Sequence, residues 1–248
     1  IKENPQAPIY PRVFIFGAKA APSYAYAKSI IKVINEVANL VNHDQTIGDK
    51  LKIVFLPNYN VSLAEKIIPA ADVSEQISLA SKEASGTSNM KLMLNGAITI
   101  ATLDGANVEI RDAVGDENIY IFGLTEAEVY AYYENKNYSS REVYETNPIV
   151  HRVLNAFVDG SIPNIEREGQ EIVDSLLLYN DEYFLLRDFD AYCKAQARLN
   201  QDYQDATHWQ KCSLINIANA GTFSADKTVK QYAEDIWQIE PLFAHKGR

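Results

Sequence analysis

The sequence predicts an α/β protein over residues 1–124 and a mainly helical region over residues 125–248. In the first part, short apolar segments alternate with segments whose apolar residues recur at helical spacing. This alternation is typical of parallel strands joined by crossover helices, so we expect a parallel sheet with helices on its faces. Beyond Leu124 only helical patterns follow. We expect this helical region to form a layer packed on the sheet or against another domain.

The first strand–helix–strand unit lies within residues 12–57. "RVFIF" (residues 12–16), closed by Gly17, suits a buried strand. After Pro22, apolar residues recur at helical spacing until residues 42–44 end the pattern: Ala27, Ile30, Ile34, Val37 and Val41. "KIVFLPNYN" from Lys52 predicts a second buried strand, and "VSLAEKIIPA" predicts a short helix that Pro69 breaks.

The same alternation continues to residue 123. After "ADVSEQIS", a helix is predicted to begin near Asn89, and "AITIATL" predicts another strand. Asp104 and Gly105 then precede "ANVEIRDAVG", a predicted short helix, and "NIYIFG" gives one more strand before Leu124. In the helical region, Thr125 and Ser224 are residues that favour helix starts.

Composition bounds the classes of function. A hydrophobic content of 47% is typical of a globular protein with a substantial core. The formal net charge of −10 argues against a nucleic-acid or anionic-membrane surface, because binding phosphates needs clustered Lys and Arg. No stretch reaches the roughly 18 consecutive apolar residues of a membrane span, and the N-terminus has no apolar signal core. We expect a soluble, cytoplasmic protein that looks like a piece of a longer one.

The two cysteines, Cys193 and Cys212, lie in predicted helices without metal-ligand spacing. We expect neither to have a nearby His to activate it. We therefore interpret both as reduced structural thiols and predict no metal site.

The segment "EASGTSNMKLMLNGA", residues 83–97, is the strongest candidate for chemistry. Small residues and potential caps precede a helix, whose unpaired N–H groups and dipole form a ready site for an anion such as phosphate. Lys91 falls in the first turn, and we expect the apolar run after it to keep its setting partly dry. A lysine amine in such a setting could form a Schiff base with an aldehyde. An ordinary helix cap with a solvated lysine is the alternative. The spacing of a Walker A loop and of a dinucleotide-binding glycine motif is absent.

This segment, extended to "EASGTSNMKLMLNGAITIATLDGANVEI", closely resembles the pyridoxal-phosphate site of the α-glucan phosphorylases. The similarity continues through "GAKAAPSYAYAKSIIKVINEVANLVNHD", "LKIVFLPNYNVSLAEKIIPAADVSEQIS", "NIYIFG" and "YAEDIWQIEP", and so covers nearly the whole chain. The resemblance implies a Rossmann-like parallel sheet, part of the C-terminal domain of a two-domain fold of the glycosyltransferase-B type. It also implies an enzyme that cleaves terminal α-1,4-glucosidic bonds with inorganic phosphate, giving glucose 1-phosphate.

The resemblance assigns roles to residues of the motif. Lys91 corresponds to the lysine that carries pyridoxal phosphate, and Gly86, Thr87 and Ser88 would hold the phosphate of this cofactor. Substrate hydroxyls of the glucosyl unit would bind to Glu83, Ser85 and Gly86, whereas Tyr59 would lie against the cofactor ring. Two departures stand out: Ser88 occupies a position where many relatives have glycine, and Asn60 one where some have arginine.

The resemblance is to the later portion of the family's second domain only. The family's substrate-phosphate element, a helix written like "KRIHEYKRQ", precedes the point that corresponds to Ile1, and the N-terminal domain is outside this chain. We therefore expect this polypeptide alone to be inactive, with the remaining phosphorylase chain, an α-1,4-glucan and inorganic phosphate as partners and a homodimer as a further option. The family's regulatory segments usually lie outside this stretch, so the sequence does not indicate allosteric control.

Two other functions compete with the phosphorylase interpretation. The chain could be a non-catalytic module that keeps cofactor or sugar affinity, an alternative that Ser88 and Asn60 favour slightly. It could also be part of a nucleotide-sugar glycosyltransferase of similar shape. Such enzymes do not need the cofactor lysine motif, which places this last interpretation well behind the others.

Overall fold

The structure, a computed structural model, describes residues 1–6 and 9–240. Its strands, in chain order, are β1 (Arg12–Gly17), β2 (Leu51–Leu56), β3 (Val73–Gln76), β4 (Ile98–Ala101) and β5 (Tyr120–Ile121). The first four helices are α1 (Ala25–His43), α2 (Val61–Ile67), α3 (Ser88–Leu94) and α4 (Asn107–Val114). The helical region follows as α5 (Glu126–Asn135), α6 (Ser140–Thr146), α7 (Pro148–Ala156), α8 (Glu166–Val173), α9 (Leu185–Asp202), α10 (Ala206–Asn219) and α11 (Ala225–Gln231).

Shorter helical turns complete the chain. Three are 3₁₀ turns (Ile68–Ala70, Asp116–Asn118 and Ala220–Phe223), and two are π turns (Asp174–Leu178 and Tyr232–Trp237). The turn at Ile68–Ala70 follows α2 directly and contains Pro69, which has no N–H to continue the α-helical ladder. The predicted break of this helix is therefore found in the structure.

The predicted fold class, α/β with parallel strands and flanking helices followed by a helical region, is confirmed. The strands are divided between two sheets: β1 pairs with β2, and β3, β4 and β5 form a second sheet in that order. Every pair is parallel. β1 is in register with β2 from Arg12 opposite Leu51 onward, and β3 is in register with β4 from Val73 opposite Ile98 onward.

A hydrophobic core cluster joins the second sheet to the helices α9 and α10. Its buried members are Ile98, Ile100, Tyr120, Phe122, Ala195, Leu199, Trp209 and Cys212. β4 is buried along its whole length, as expected of a central strand covered on both faces. Residues of α9 and α10 thus pack on the second sheet. The boundary near residue 124 stays a prediction.

The junction between the sheet and the helical region is held by Asp188 of α9. Its Oδ1 accepts a hydrogen bond from the Leu124 N–H at 2.9 Å. The neighbouring Gly123 has φ +81°, and a Cβ at this glycine would lie 2.6 Å from Asp188 Oδ2. Only glycine therefore lets the chain leave β5 so close to this carboxylate.

Burial raises the pKa of Asp188 to about 6, against the opposing hydrogen bond from Leu124 and the charge of Arg187. An unfolded Asp titrates near pH 4, so between about pH 4 and about pH 6 the folded state binds more protons. The stabilising contribution of this group is complete below that window and is lost as the pH rises through it.

We therefore expect the wild-type chain to lose stability relative to an Asp188→Asn variant as the pH rises from 4 to 6. Urea unfolding at several pH values measures this, as the difference between the two free-energy curves. The difference, rather than either curve alone, isolates Asp188, because hydrogen bonds lower the pKa of Asp44 and Glu168, which act in the opposite direction. Parallel curves would show that Asp188 titrates equally in both states.

Candidate functional site

The candidate site is built where two neighbouring parallel strands end. β3 ends at Gln76 and β4 ends at Ala101, so the segments that follow them leave the sheet at the same edge. Ligand sites of α/β proteins form at this carboxyl edge. Residues 83–91 lie after β3 and include the start of α3. Residues 102–106 lie after β4 and lead into α4.

A single carboxylate ties the two segments together. Asp104 Oδ2 accepts hydrogen bonds from the backbone N–H groups of Lys82 and Glu83, at 3.1 and 2.7 Å. Beside it, the Ala106 N–H donates to the Ser85 carbonyl oxygen at 2.8 Å. The backbone on both sides of Glu83 is therefore fixed by the segment after β4, which we call the anchor segment (residues 102–106).

Two glycines let the segments approach this closely. Gly105 has φ +50°, and a Cβ there would lie 2.6 Å from the Ser85 carbonyl oxygen. Gly86 has φ +80°, and a Cβ there would lie 2.9 Å from Asn89 Nδ2. Asn89 is buried, and its Nδ2 donates to the Ser85 carbonyl oxygen and to Asn107 Oδ1, at 3.2 and 3.0 Å. The backbone of the loop is consequently held close to the segment after β4, although Lys82, Ala84, Ser85, Thr87 and Ser88 stay exposed.

The start of α3 leaves backbone donors free. Thr87 is the N-cap residue, but its side chain makes no capping hydrogen bond. Within residues 1–6 and 9–240, the backbone N–H groups of Thr87, Ser88 and Asn89 donate no hydrogen bond. Free donors at a helix start carry partial positive charge, so this end of α3 favours an anion.

Lys91 is the fourth of the seven residues of α3, at the start of its last turn rather than within its first, and it is exposed. The sequence predicted a partly dry setting, and the structure corrects this. Asn89 and Met93, four residues apart, form the buried face of α3, and Lys91 lies on the opposite side. In the described part of the chain Lys91 Nζ makes neither a hydrogen bond nor an ion pair, so its amine is free to react.

The other predicted residues of the segment have local partners. The Ser88 hydroxyl hydrogen-bonds to the Gln76 amide at the end of β3, at 3.2 to 3.3 Å. The Ser85 hydroxyl donates to the Gly86 carbonyl oxygen, and Glu83 Oε2 accepts from the Ser78 hydroxyl at 3.3 Å. Ser88 is therefore turned towards the sheet rather than towards the helix start.

Tyr59 lies at the carboxyl edge of the other sheet. It follows β2, and its ring covers Gly17 at the end of β1, where an added Cβ would lie 2.7 Å from Tyr59 Cδ2. Among the described residues no hydrogen bond joins Tyr59 to residues 83–91. The structure thus brings residues 83–91 together and leaves Tyr59 on a separate half of the site.

Sequence reasoning missed the anchor segment. Asp104 and Gly105 were interpreted only as the link before a short helix, although a carboxylate directly after a buried parallel strand marks the same edge as the motif. Gln76 is a polar residue at the end of β3 and indicates the same edge of the sheet. Asp104 and Gln76 can both be identified in the sequence by their positions at or just after the end of a predicted strand.

One expectation about the cysteines was wrong. His208 Nε2 lies 3.5 Å from Cys212 Sγ, because residues four apart share a face of α10. The structural interpretation of the thiols still holds, since both cysteines are free and burial raises the pKa of each thiol. A raised pKa keeps Cys212 protonated, which makes it a poor nucleophile.

Within residues 1–6 and 9–240, every helix is too short or too polar to span a membrane. No three or more His, Cys, Asp or Glu side chains are arranged in that part of the chain to hold a metal ion.

Comparison with known proteins gives a consistent result. The family described as carbohydrate phosphorylase matches residues 1–239. Glycogen phosphorylase of Bacillus subtilis is 52% identical over 242 residues, covering 98% of this chain and 30% of the relative. Glycogen phosphorylase of Synechocystis sp. is 48% identical (98% and 28% covered), and the human liver form is 46% identical (97% and 28% covered). The chain thus spans about 30% of the length of the curated relatives it matches.

We expect Asp104→Ala to destabilise the chain by about 1–3 kcal/mol, because two backbone N–H groups lose their acceptor. Hydrogen exchange of the Lys82 and Glu83 amides should accelerate in the variant. Asp112→Ala is the matched control, since Asp112 is an exposed carboxylate that pairs with the adjacent Arg111. Its effect should stay within about 0.5 kcal/mol. Equal effects of the two substitutions would contradict an anchoring role.

Proposed function

The chain belongs to the carbohydrate phosphorylase family, and on this premise we propose that it forms the cofactor-binding part of an α-glucan phosphorylase. The whole enzyme would cleave terminal α-1,4-glucosidic bonds with inorganic phosphate and release glucose 1-phosphate. Because the chain spans about 30% of its relatives' length, this activity would belong to a larger polypeptide. The relatives are named glycogen phosphorylases, which supports glycogen as the type of substrate.

One observation carries the proposal: free backbone donors at the start of α3 are followed, within one helical turn, by a free lysine amine. Backbone donors suit a phosphate, and an amine suits an aldehyde. Pyridoxal phosphate contains both groups. The residues present therefore fit this cofactor, with Lys91 Nζ as the atom that bonds its aldehyde carbon and with Gly86, Thr87 and Ser88 around its phosphate.

When bound, pyridoxal phosphate supplies a phosphate group that can exchange a proton with a substrate phosphate beside it. The residues of the chain do the rest. The anchor segment fixes the backbone of Glu83 and Ser85, so that their polar groups can bind hydroxyls of the glucosyl unit without reorganising. Ser88 would bind the cofactor phosphate through its backbone N–H, because its hydroxyl is bonded to Gln76. Tyr59, whose ring covers Gly17 at the end of β1, would supply an aromatic ring to the site.

The non-catalytic module remains the second candidate, and the separation of Tyr59 from residues 83–91 favours it. A pocket divided between two sheets could bind a cofactor or sugar weakly without supporting turnover. The phosphorylase proposal includes a glucan and inorganic phosphate as partners. It also includes a homodimer and a cytoplasmic location, which depend on the same evidence.

We expect pyridoxal phosphate to bind the purified chain at Lys91. An absorbance titration, followed by borohydride reduction and peptide mapping, should place the label on Lys91, and Lys91→Ala should abolish it. Lys82→Ala is the control, because Lys82 is an exposed lysine nine residues away whose amine lies near the Tyr133 ring. Label spread over surface lysines in both variants would contradict the proposal.

We also expect residues 1–248 alone not to release glucose 1-phosphate from maltodextrin and phosphate. Phosphorolysis needs phosphate, cofactor and glucan held together in one geometry, and the chain spans only about 30% of its relatives' length. A coupled assay of glucose 1-phosphate measures this. Turnover by the purified chain that Lys91→Ala lacks would overturn the expectation.

A further inference from the structure

Two asparagine side chains are buried in the candidate site: Asn89 in α3 and Asn107 at the start of α4. They are 1% and 3% exposed, and Asn89 Nδ2 donates a hydrogen bond to Asn107 Oδ1 at 3.0 Å. Asparagine is mostly an exposed residue, because burying an amide costs free energy unless its donors and acceptors are paired. The partners of these two amides therefore show what they connect.

The hydrogen bonds of the two amides all run in one direction. Asn107 Nδ2 donates to the Thr102 carbonyl oxygen, where β4 has just ended, at 3.1 Å. At the other end, the Met90 N–H in the first turn of α3 donates to Asn89 Oδ1 at 2.9 Å. Hydrogen bonds aligned in this way polarise and strengthen one another. We call this series, from the Thr102 carbonyl through Asn107 and Asn89 to the Met90 N–H, the amide chain.

The orientation of the Asn89 amide is fixed by its partners. Its Nδ2 also donates to the Ser85 carbonyl oxygen at 3.2 Å, so both hydrogens of this nitrogen are used. Exchanging its oxygen and nitrogen would set Nδ2 against the Met90 N–H, which is also a donor. Asn89 is therefore held in one rotamer and one amide orientation.

The helix α3 depends on such a restraint. It has seven residues and no side-chain cap, so its own hydrogen bonds do not hold it in place. Asn89 and Met93 are its buried residues, and Met93 lies in an apolar cluster with Ile110 and Ile119. Apolar contacts are not directional. The rotation of α3 about its axis is consequently set by the directional bonds of Asn89.

In the described part of the chain, one other side chain ties the first turn of α3 to the sheet. The Ser88 hydroxyl bonds to the Gln76 amide at 3.2 to 3.3 Å, and this contact is exposed. Water competes for an exposed hydrogen bond, so the contact restrains the helix less than a buried amide does. The amide chain is thus the stronger restraint.

The rotation of α3 determines where Lys91 points. Lys91 follows Asn89 by two residues, so its side chain leaves the helix about 200° further round the axis. Any rotation that loosens the Asn89 contacts therefore turns the Lys91 side chain by the same angle. Because the lysine side chain is long, its amine moves further than the backbone does.

Asn42 shows what an asparagine amide does in this fold when it acts alone. At the outer edge of the first sheet, it donates to the Ile53 carbonyl oxygen at 2.7 Å and accepts from the Ile53 N–H at 3.0 Å. One amide there satisfies two groups of one residue. Asn107 differs, because it carries a restraint from the end of β4 to a side chain of another helix.

We propose that Asn107 is a positioning residue for Lys91, acting through Asn89 to hold α3 at the rotation that presents the Lys91 amine to the candidate site. This role rests on the proposed function, in which the amine bonds the aldehyde of pyridoxal phosphate. In that condensation a C=N bond forms, and the aldehyde oxygen leaves with two hydrogens of the neutral amine as one water molecule. No oxidant or reductant is needed, and Asn107 takes no part in the bond itself.

The test compares two ligands on the purified chain. One is pyridoxal phosphate, and the other is pyridoxine phosphate, which carries an alcohol in place of the aldehyde. Both present the same ring and phosphate, but only the aldehyde can bond an amine. The ratio of the two dissociation constants therefore measures the placement of Lys91 separately from the rest of the site. We expect the wild-type chain to bind the aldehyde more tightly.

Asn107→Ala and Asn107→Leu both remove the hydrogen bonds of this side chain, and leucine also fills its space. Each should lower the preference for the aldehyde about fivefold or more, with affinity for the alcohol kept within about twofold, because the amine is displaced. The Met90 amide should exchange faster with solvent, since Asn89 Oδ1 is no longer held against it. Thermal unfolding checks that the variants fold, and the leucine variant carries the test if the alanine variant does not.

Asn118→Ala is the matched control. Asn118 is 4% exposed and lies beyond the other end of α4, where its Nδ2 donates to the Val114 carbonyl oxygen at 2.8 Å. Its replacement removes a buried amide hydrogen bond of the same kind without touching the amide chain, so the preference should stay within about twofold.

A double variant tests whether Asn107 acts through Asn89. Asn89→Ala should lower the preference for the aldehyde by itself. Adding Asn107→Ala to that variant should then change the preference little further, because the two residues belong to one series of hydrogen bonds. Independent, additive effects of the two substitutions would contradict this coupling.

Failure of the proposed function and failure of the positioning role give different results. A wild-type chain that binds both ligands equally, or that is not labelled at Lys91 after borohydride reduction, contradicts the proposed function and the role of Asn107 with it. A wild-type chain labelled at Lys91, with folded Asn107 variants that keep its preference, overturns the positioning role alone. An equal loss of affinity for both ligands, or an equal effect of Asn118→Ala, also overturns that role, because either result marks a general structural effect.

Discussion

The parallel direction of the strands is the constraint on which the candidate site depends. It places the ends of β3 and β4 at one edge of the sheet, so that the segments after them must meet. Asp104 can reach the backbone of Lys82 and Glu83 only because of this arrangement. The free donors at the start of α3 and the amine of Lys91 are positioned by the same loop. If the strands ran antiparallel, the motif and the anchor segment would lie at opposite edges.

The periodicity of the sequence predicted most of the elements. β1, β2 and the helices α1 and α2 agree with their predicted positions within a few residues, because apolar spacing and Pro69 act locally. The division into two sheets could not be predicted this way, since pairing between β1 and β3 depends on neighbours outside each strand. β5 is only two residues long, although "NIYIFG" reads as a longer strand. Gly123 and the Asp188 contact end it early.

The candidate site was predictable as a segment but not as a three-dimensional arrangement. The motif at residues 83–91 drew attention by composition and by resemblance, and the structure gathers it at one helix start. The side-chain environments differed from expectation. Lys91 is exposed because α3 has seven residues and buries one narrow face, and Ser88 faces Gln76 because β3 ends directly beside it. Both outcomes depend on long-range packing that a local pattern does not contain.

Asn42 has a consequence for how the molecule behaves in a crowded solution. By closing the outer border of the first sheet with one amide, it removes that border as a template for other chains. Another chain could pair its extended backbone with Ile53 only by displacing this amide. A single polar side chain at the end of α1 thus protects part of an exposed strand edge from association with other molecules.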